Sequence, residues 1–233
     1  MVAVTLHSDG RALQKPFTWS YSKVKNYEIC PKRHYETDIA KSTEPETSEK
    51  LDWGDRVHKA AAAYFEKKTP VPDEIAVLRP WIEKIERVPG TILVERKYAL
   101  DRSLNPCGYF DRNVWFRGVC DLLKIFEDVA LGIDWKTGKI LRETEQLALM
   151  AACIFANHPE VQKIRTEFIW LHDDATTRED FTRADMGLMW ARLLPRLAPM
   201  EYSWNTSEYL AKPNKMCASY CKVKTCVHNG KRY

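Results

Sequence analysis

Three residues in the middle of the chain have the types and spacing of a metal-dependent hydrolytic site. Asp121 ends the segment GVCD, and Asp134 and Lys136 lie in IDWKTGK. Two carboxylates held close together repel each other unless a cation neutralises them, and Mg²⁺ or Mn²⁺ suits such oxygen ligands. A neighbouring lysine can orient or deprotonate a water, or stabilise a charged transition state. The expected chemistry is therefore metal-assisted hydrolysis.

Two predicted strands would position these side chains. VWFRGVCDLLKIF and VALGIDWK have the β-branched and aromatic content of strands, with a polar break between them. Because residues two apart on a strand point to the same face, Asp134 and Lys136 project together and Trp135 projects oppositely. If the strands pair as a hairpin, Asp121 approaches the same face. Gln146 then opens the apolar helix ETEQLALMAACIFA.

The combined pattern of Gly118-x-x-Asp121, Asp134-Trp135-Lys136 and Gln146 resembles the PD-(D/E)xK nuclease superfamily. Within that superfamily it looks like the RecB-nuclease and Cas4-like branch, in the compact form of a phage-type exonuclease. The resemblance implies an α/β fold with a restriction-endonuclease-like core, in which helices flank a mixed central sheet. It also implies N-terminal and C-terminal additions, joined by a metal cluster.

The resemblance assigns roles to the central residues. Asp121 and Asp134 would bind Mg²⁺ or Mn²⁺, together with the carbonyl of Trp135. Lys136 would be catalytic and Gln146 would support it. The branch pattern continues as Gln-x-x-x-Tyr, but Met150 stands at the tyrosine position, which weakens the case for a nucleotide contact there.

Two earlier segments extend the resemblance. LDWGDRVHKAAAAYF has the apolar stripe of an amphipathic helix, and its Gly54-x-x-x-His58 pattern implies that His58 is a third metal ligand. The alternative for His58 is an ordinary solvated helix histidine. Glu95, in TILVERKYAL, is a candidate acidic helper for the metal, and its alternative is an ion pair with Arg96 or Lys97.

The cysteines form a second constellation. Cys30 lies near one end of the chain, and Cys217, Cys221 and Cys226 crowd the other. This distribution resembles an iron–sulfur staple, so a [4Fe–4S] cluster is expected, with Zn²⁺ and then unligated thiols as the alternatives. The spacing Cys-x3-Cys-x4-Cys departs from the usual Cys-x2-Cys-x5-Cys, and His228 is a substitute ligand. Three others, Cys107, Cys120 and Cys153, are not expected to bind metal.

Basic residues cluster at 15–33, 136–142 and 212–232, although the net charge is only +4. A nucleic-acid channel near the acidic site is the functional interpretation, and solvated surface is the alternative. Tyr27, Arg33 and Lys139 are the candidate DNA contacts.

The 233 residues and the 45% hydrophobic content suit a single domain over 1–233. The central sheet is expected over about 91–172, with 17–35 and 204–233 joined by the cysteines. After the strand KIRTEFIWLH, the capping-box pattern Thr176-x-x-Glu179 predicts a helix beginning near Thr177. No run of eighteen apolar residues is present, which excludes a membrane span, and the free thiols suit a reducing cytoplasm, or the host cytoplasm for a phage protein.

The sequence therefore predicts a Mg²⁺- or Mn²⁺-dependent deoxyribonuclease. An exonuclease acting on single strands or duplex ends is favoured, with DNA as the partner and no protein partner assigned. A structure-specific endonuclease on the same site and an inactive DNA-binding module are the alternatives.

Overall fold

The computed structural model describes residues 16–44 and 48–233. Lys15, at the start of the first basic cluster, lies outside the described residues, as do residues 45–47 of the polar loop before the His58 helix.

The centre of the molecule is a six-stranded mixed sheet with the strand order β2-β1-β3-β4-β5-β6. The strands are β1 (Thr91–Leu100), β2 (Pro106–Cys107), β3 (Phe116–Phe126), β4 (Val129–Lys136), β5 (Lys163–Trp170) and β6 (Ala175–Thr182). Neighbouring strands are antiparallel except β4 and β5, which run parallel. Because parallel neighbours need a crossover connection, the chain passes through a helix between them.

Helices cover both faces of the sheet. They are α1 (Tyr21–Ile29), α2 (Pro31–His34), α3 (Glu49–Lys67), α4 (Arg79–Arg87), α5 (Glu145–Asn157) and α6 (Asp185–Thr206). Buried residues of α1, α5 and α6 share one apolar cluster with one face of the sheet. Buried residues of α3 and α4 share a second cluster with the other face. The mixed sheet with flanking helices confirms the predicted α/β class.

The alternation of side chains between the two faces of the sheet reverses once on β1 and once on the neighbouring β3, at positions that lie opposite each other. On β1, Val94 lies in the cluster beneath α3 and α4, whereas Tyr98 lies in the opposite cluster. On β3, Leu122 and Cys120 are divided in the same way. Glu95, between the two halves of β1, has a left-handed φ of 47°. This conformation is costly for a residue with a Cβ, and such strain concentrates at functional sites.

The helix predicted to begin near Thr177 is wrong, because residues 175–182 form the edge strand β6. Their side chains alternate with a period of two along β5, and Arg165 Nε lies 2.7 Å from Asp180 Oδ1 across the pair. Strand pairing therefore overrides the local capping signal. The helix begins at Asp185, whose carboxylate accepts hydrogen bonds from Thr182, and it continues through Pro195.

None of the helices in the described part of the chain is long and apolar enough to cross a membrane.

Candidate active site

The acidic residues meet where β3 and β4 separate. The last paired residues of these strands in this direction are Leu122 and Ile133, while β4 stays paired with β5 as far as Lys136. In the gap, the Asp121 carboxylate accepts a hydrogen bond of 2.8 Å from the Trp135 backbone N–H. The Asp121 side chain thus takes the place of a backbone hydrogen bond between the two strands and holds this end of β3 against β4.

Three candidate ligands come together beside this gap from three different elements. One ligand atom each of His58 on α3, Glu95 on β1 and Asp121 on β3 all lie within 4.8 Å of one another. His58 Nδ1 is 3.2 Å from Asp121 Oδ2. The reversed alternation explains how Glu95 reaches the group, since its left-handed backbone occurs directly opposite Asp121.

Asp134, Lys136 and Gln146 form a linked set on the adjacent strand and helix. Lys136 Nζ is 2.6 Å from Asp134 Oδ2. The Gln146 amide contacts both residues: its Nε2 donates to Asp134 Oδ1 at 2.7 Å, and its Oε1 accepts from Lys136 Nζ at 3.1 Å. Gln146 therefore links the two side chains.

The site is short of positive charge. Burial, followed by the charge of Asp121, raises the pKa of Asp134 to about 6. The same two causes raise the pKa of Glu95. The hydrogen bond to Asp121 raises the pKa of His58. The shifts of Asp134 and Glu95 reflect carboxylates crowded in a poorly solvated place, and the shift of His58 reflects its carboxylate partner. A bound cation would relieve this crowding.

The donor set fits a hard divalent ion. One imidazole nitrogen and carboxylate oxygens from Glu95, Asp121 and Asp134 are available, and oxygen-rich sites of this kind suit Mg²⁺ or Mn²⁺. The indole of Trp135 is 2% exposed and packs in the cluster beneath α3 and α4. It therefore points away from Asp134, as the strand period predicted. A contribution from the Trp135 carbonyl stays a prediction.

A cavity of about 530 Å³ opens beside these groups. Asp121, Asp134 and Gln146 line it, as does Met150, which is buried on α5. Met150 thus presents a thioether where the resembled pattern has a tyrosine.

The cavity wall also contains residues that the sequence analysis did not select. Lys23 and Arg117 line it together with Tyr109. Lys23 belongs to the first basic cluster of the sequence, and that cluster is the pattern from which it could have been predicted. Arg117 precedes the Gly118 motif within a strand and carried no signal of its own.

The three predicted DNA contacts have different positions. Lys139 is exposed in the loop after β4, so its role stays a prediction. The prediction for Tyr27 is wrong, because its ring is buried and its hydroxyl donates to the Pro199 carbonyl and contacts Ser203 Oγ. Arg33 lies at the cysteine-lined end, with Nη1 3.9 Å from Met216 Sδ, and not along the active-site cavity.

The four candidate cluster cysteines converge. Cys30, Cys217, Cys221 and Cys226 line one small cavity, which His228 also borders. Two backbone N–H groups point at the sulfurs: Lys212 N is 3.3 Å from Cys30 Sγ, and Asn214 N is 3.5 Å from Cys217 Sγ. By contrast, Cys120 and Cys153 are buried in the apolar core, and Cys107 lies on β2 away from this cavity.

Two solved structures are similar to this chain over most of its length. The chain is similar to a protein called "Putative exonuclease" from Eubacterium rectale, with a TM-score of 0.54 and 14% identity over 94% of this chain and 93% of that one. It is less similar to a protein called SSO0001, with a TM-score of 0.42 and 13% identity over 93% and 89% of the two chains. A search of curated proteins finds none that matches this chain.

A family comparison covers most of the chain. The model of the PD-(D/E)XK nuclease superfamily matches residues 18–226. That range includes the carboxylates, His58, Lys136, Gln146 and all four clustered cysteines. The chain therefore belongs to the PD-(D/E)XK nuclease superfamily.

Proposed function

We propose that this protein is a divalent-metal-dependent DNA exonuclease that acts on single strands or on duplex ends. The observation that carries the proposal is the meeting of His58, Glu95 and Asp121 beside the Asp134–Lys136–Gln146 set. The family membership supports phosphodiester hydrolysis. The name of the similar Eubacterium rectale protein supports the exonuclease mode.

His58, Glu95, Asp121 and Asp134 would hold Mg²⁺ or Mn²⁺. Such an ion, when bound, polarises the scissile phosphate and lowers the pKa of a water. Lys136 would orient the attacking water and stabilise the extra negative charge on the phosphate. Gln146 acts through Lys136 and Asp134 and is a positioning residue. The buried Trp135 indole supports the strand from behind.

We also place a [4Fe–4S] cluster at the four converging cysteines, as in the Cas4-like branch. The four thiols line one small cavity, and backbone N–H groups directed at two of the sulfurs suit such a site. Tetrahedral zinc on the same thiols is the alternative.

The cysteines also bear on the cellular compartment of the protein. The seven cysteines are free, which supports a reducing compartment such as the cytoplasm. A compact enzyme of this kind suits a phage or mobile element, in recombination, replication or DNA degradation.

The proposal is tested with linear single-stranded and duplex DNA, labelled separately at each end. Each substrate is incubated with Mg²⁺, Mn²⁺ or EDTA, and the wild-type protein is compared with Asp134→Asn and Lys136→Ala. Loss of label from one end that requires metal and is abolished in both variants is the expected result. Lys139→Ala, which lies outside the linked set, is the matched control for Lys136→Ala.

Closed circular single-stranded DNA distinguishes the modes of cleavage. An exonuclease leaves circles intact, so their cleavage would replace the exonuclease assignment with an endonuclease. Bound but uncut DNA under all metal conditions would contradict the enzymatic assignment.

A further inference from the structure

We infer that Lys23 and Arg117 form a phosphate-binding site for single-stranded DNA, one or more nucleotides away from the scissile bond. The inference rests on the proposed function, because it extends the path of the substrate beyond the carboxylates. It assigns a substrate contact to two residues outside the metal-binding group.

Lys23 and Arg117 lie between two neighbouring cavities and line both of them. Both line the cavity of about 530 Å³ that contains Asp121 and Asp134. Both also line a second cavity of about 410 Å³, which Lys41 and Arg112 border too. A continuous cleft therefore runs from the acidic site, past Lys23 and Arg117, into a pocket that four cations border together with Asp38 and Asp111.

Their charges are available to a ligand. Within the described part of the chain, Lys23 makes no hydrogen bond and no ion pair, although it is partly buried. Burial lowers its pKa, Asp38 opposes this, and Arg117 lowers it further. Asp38 also lines the second cavity and offsets part of the repulsion between the two cations, and a phosphate between them would relieve the remainder.

Arg117 is held in place for this contact. Its Nε donates to the Tyr109 carbonyl at 2.7 Å, and its guanidinium lies 5.4 Å from the centre of the Tyr109 ring. Anchoring through Nε leaves the terminal nitrogens directed elsewhere, and guanidinium nitrogens match phosphate oxygens in pairs. Tyr109 is accordingly a positioning residue.

The spacing along β3 favours a phosphate beyond the scissile one as the partner. The Cα atoms of Arg117 and Asp121 are four residues apart, which corresponds to about 13 Å along a strand. We therefore assign to Arg117 a phosphate of a neighbouring nucleotide of the same strand.

An exposed ring beside the cleft favours a single strand. Phe110 follows Tyr109 in the turn before β3, is 82% exposed, and lies nearly perpendicular to the Tyr109 ring. An aromatic face open to solvent can stack on an unpaired base, which a base-paired duplex does not offer. The cavity is also of the size that encloses a nucleotide-sized ligand.

The test measures binding without catalysis. Fluorescence anisotropy in EDTA follows a short 5′-fluorescein-labelled oligothymidylate on the full-length protein, across a range of salt concentrations. The variants are Lys23→Gln with Arg117→Gln, and the control is Lys163→Gln with Arg178→Gln. The control removes the same charges from exposed positions on β5 and β6.

Loss of both cations should weaken binding about tenfold or more and reduce the salt slope by roughly 1.4, at about 0.7 per phosphate contact on a single strand. The control pair should change neither quantity beyond twofold. Equal losses in both double variants, or no loss in either, would overturn the site.

Two further variants separate binding from structure. Arg117→Lys keeps the charge and should retain the salt slope. An equal fall of the salt slope in Arg117→Lys and Arg117→Gln would reveal a purely structural role. Phe110→Ala should weaken single-strand binding about fivefold or more and leave blunt duplex binding unchanged. Equal effects on both DNA forms would overturn the single-strand assignment.

Failure of this inference is distinguishable from failure of the proposed function. If wild-type protein cuts DNA but the double variant binds normally, the phosphate site is wrong and the nuclease stands. If wild-type protein never cuts DNA but the double variant loses binding, the nuclease is wrong and the site stands.

Discussion

Gln146 has the most informative set of contacts among the individual residues. One amide satisfies both Asp134 and Lys136, with its nitrogen on the carboxylate and its oxygen on the ammonium. An ordinary surface Asp–Lys pair contributes little to any function because water competes for both partners. Here Asp134 is buried, and the amide holds Oδ1 while Lys136 contacts Oδ2. The residue is therefore a determinant of geometry and not of charge.

Replacing Gln146 with Met should lower kcat by about 10- to 100-fold, the usual cost of losing a partner of an active-site ligand. The side chain keeps its length, so KM and the thermal midpoint should change little. Steady-state cleavage kinetics and thermal unfolding measure these quantities. Gln162→Met, at an exposed position, serves as the control. A rise in KM with unchanged kcat would instead indicate that Gln146 contacts the DNA.

Among the elements, β1 and β3 determine the site by their shared reversal of side-chain direction. If alternation continued unbroken through Glu95, the strands would carry their polar and apolar residues to the wrong faces. The left-handed backbone of Glu95 corrects this and brings its carboxylate to Asp121. Gly90, which directly precedes the first β1 residue paired with β3, has a φ of +125°.

Gly90→Ala should destabilise the fold without touching the site. An added Cβ would lie 2.5 Å from the Ile125 carbonyl oxygen, and the positive φ disfavours any side chain. A cost of about 1–3 kcal/mol is expected, which corresponds to a midpoint lower by roughly 2–12 °C in a chain of this size. Differential scanning calorimetry measures the change.

Gly187→Ala is the matched control for this substitution. Gly187 lies in α6 with open space around its Cβ position. Its replacement should leave the midpoint unchanged or raise it, because alanine favours a helix over glycine by up to about 1 kcal/mol. Equal destabilisation by both substitutions would contradict the argument from backbone conformation.

At the scale of the whole molecule, the cysteine site joins the two ends of the described chain. Cys30 ends α1, and its three partners lie beyond α6. The Tyr27 hydroxyl bonds and the fork of Arg196 on Glu28 already attach α1 to α6. A bound cluster would close the same loop through a stronger link, and its binding free energy would add to folding stability.

Cys30→Ser and Cys226→Ser should therefore remove the brown colour and iron from anaerobically purified protein and lower its thermal midpoint. Cys107→Ser, on β2, should do neither. Iron analysis, visible absorbance and thermal unfolding are the measurements. Colourless protein with one zinc per chain would replace the cluster with a zinc staple, and metal-free protein would contradict both.

The amino-acid sequence by itself determined the fold class and the residues on which the proposed chemistry rests. The carboxylates, Lys136 and Gln146 are recognisable because strand alternation and motif spacing are local properties, set within a few residues. The same is true of the long strands and of the apolar helix α5. The family resemblance of the cysteine pattern implied that the four thiols would meet, and all four line one cavity.

Tertiary structure decided which side chains share a space. Glu95 joined His58 and Asp121 through a backbone reversal that no local pattern announces. Tyr27 was removed from the DNA-contact candidates by α6, which lies more than 170 residues away along the chain. Residues 175–182 became a strand because β5 offered a free edge. Each outcome depends on contacts between distant segments, and their free energy exceeds the local preferences that a sequence displays.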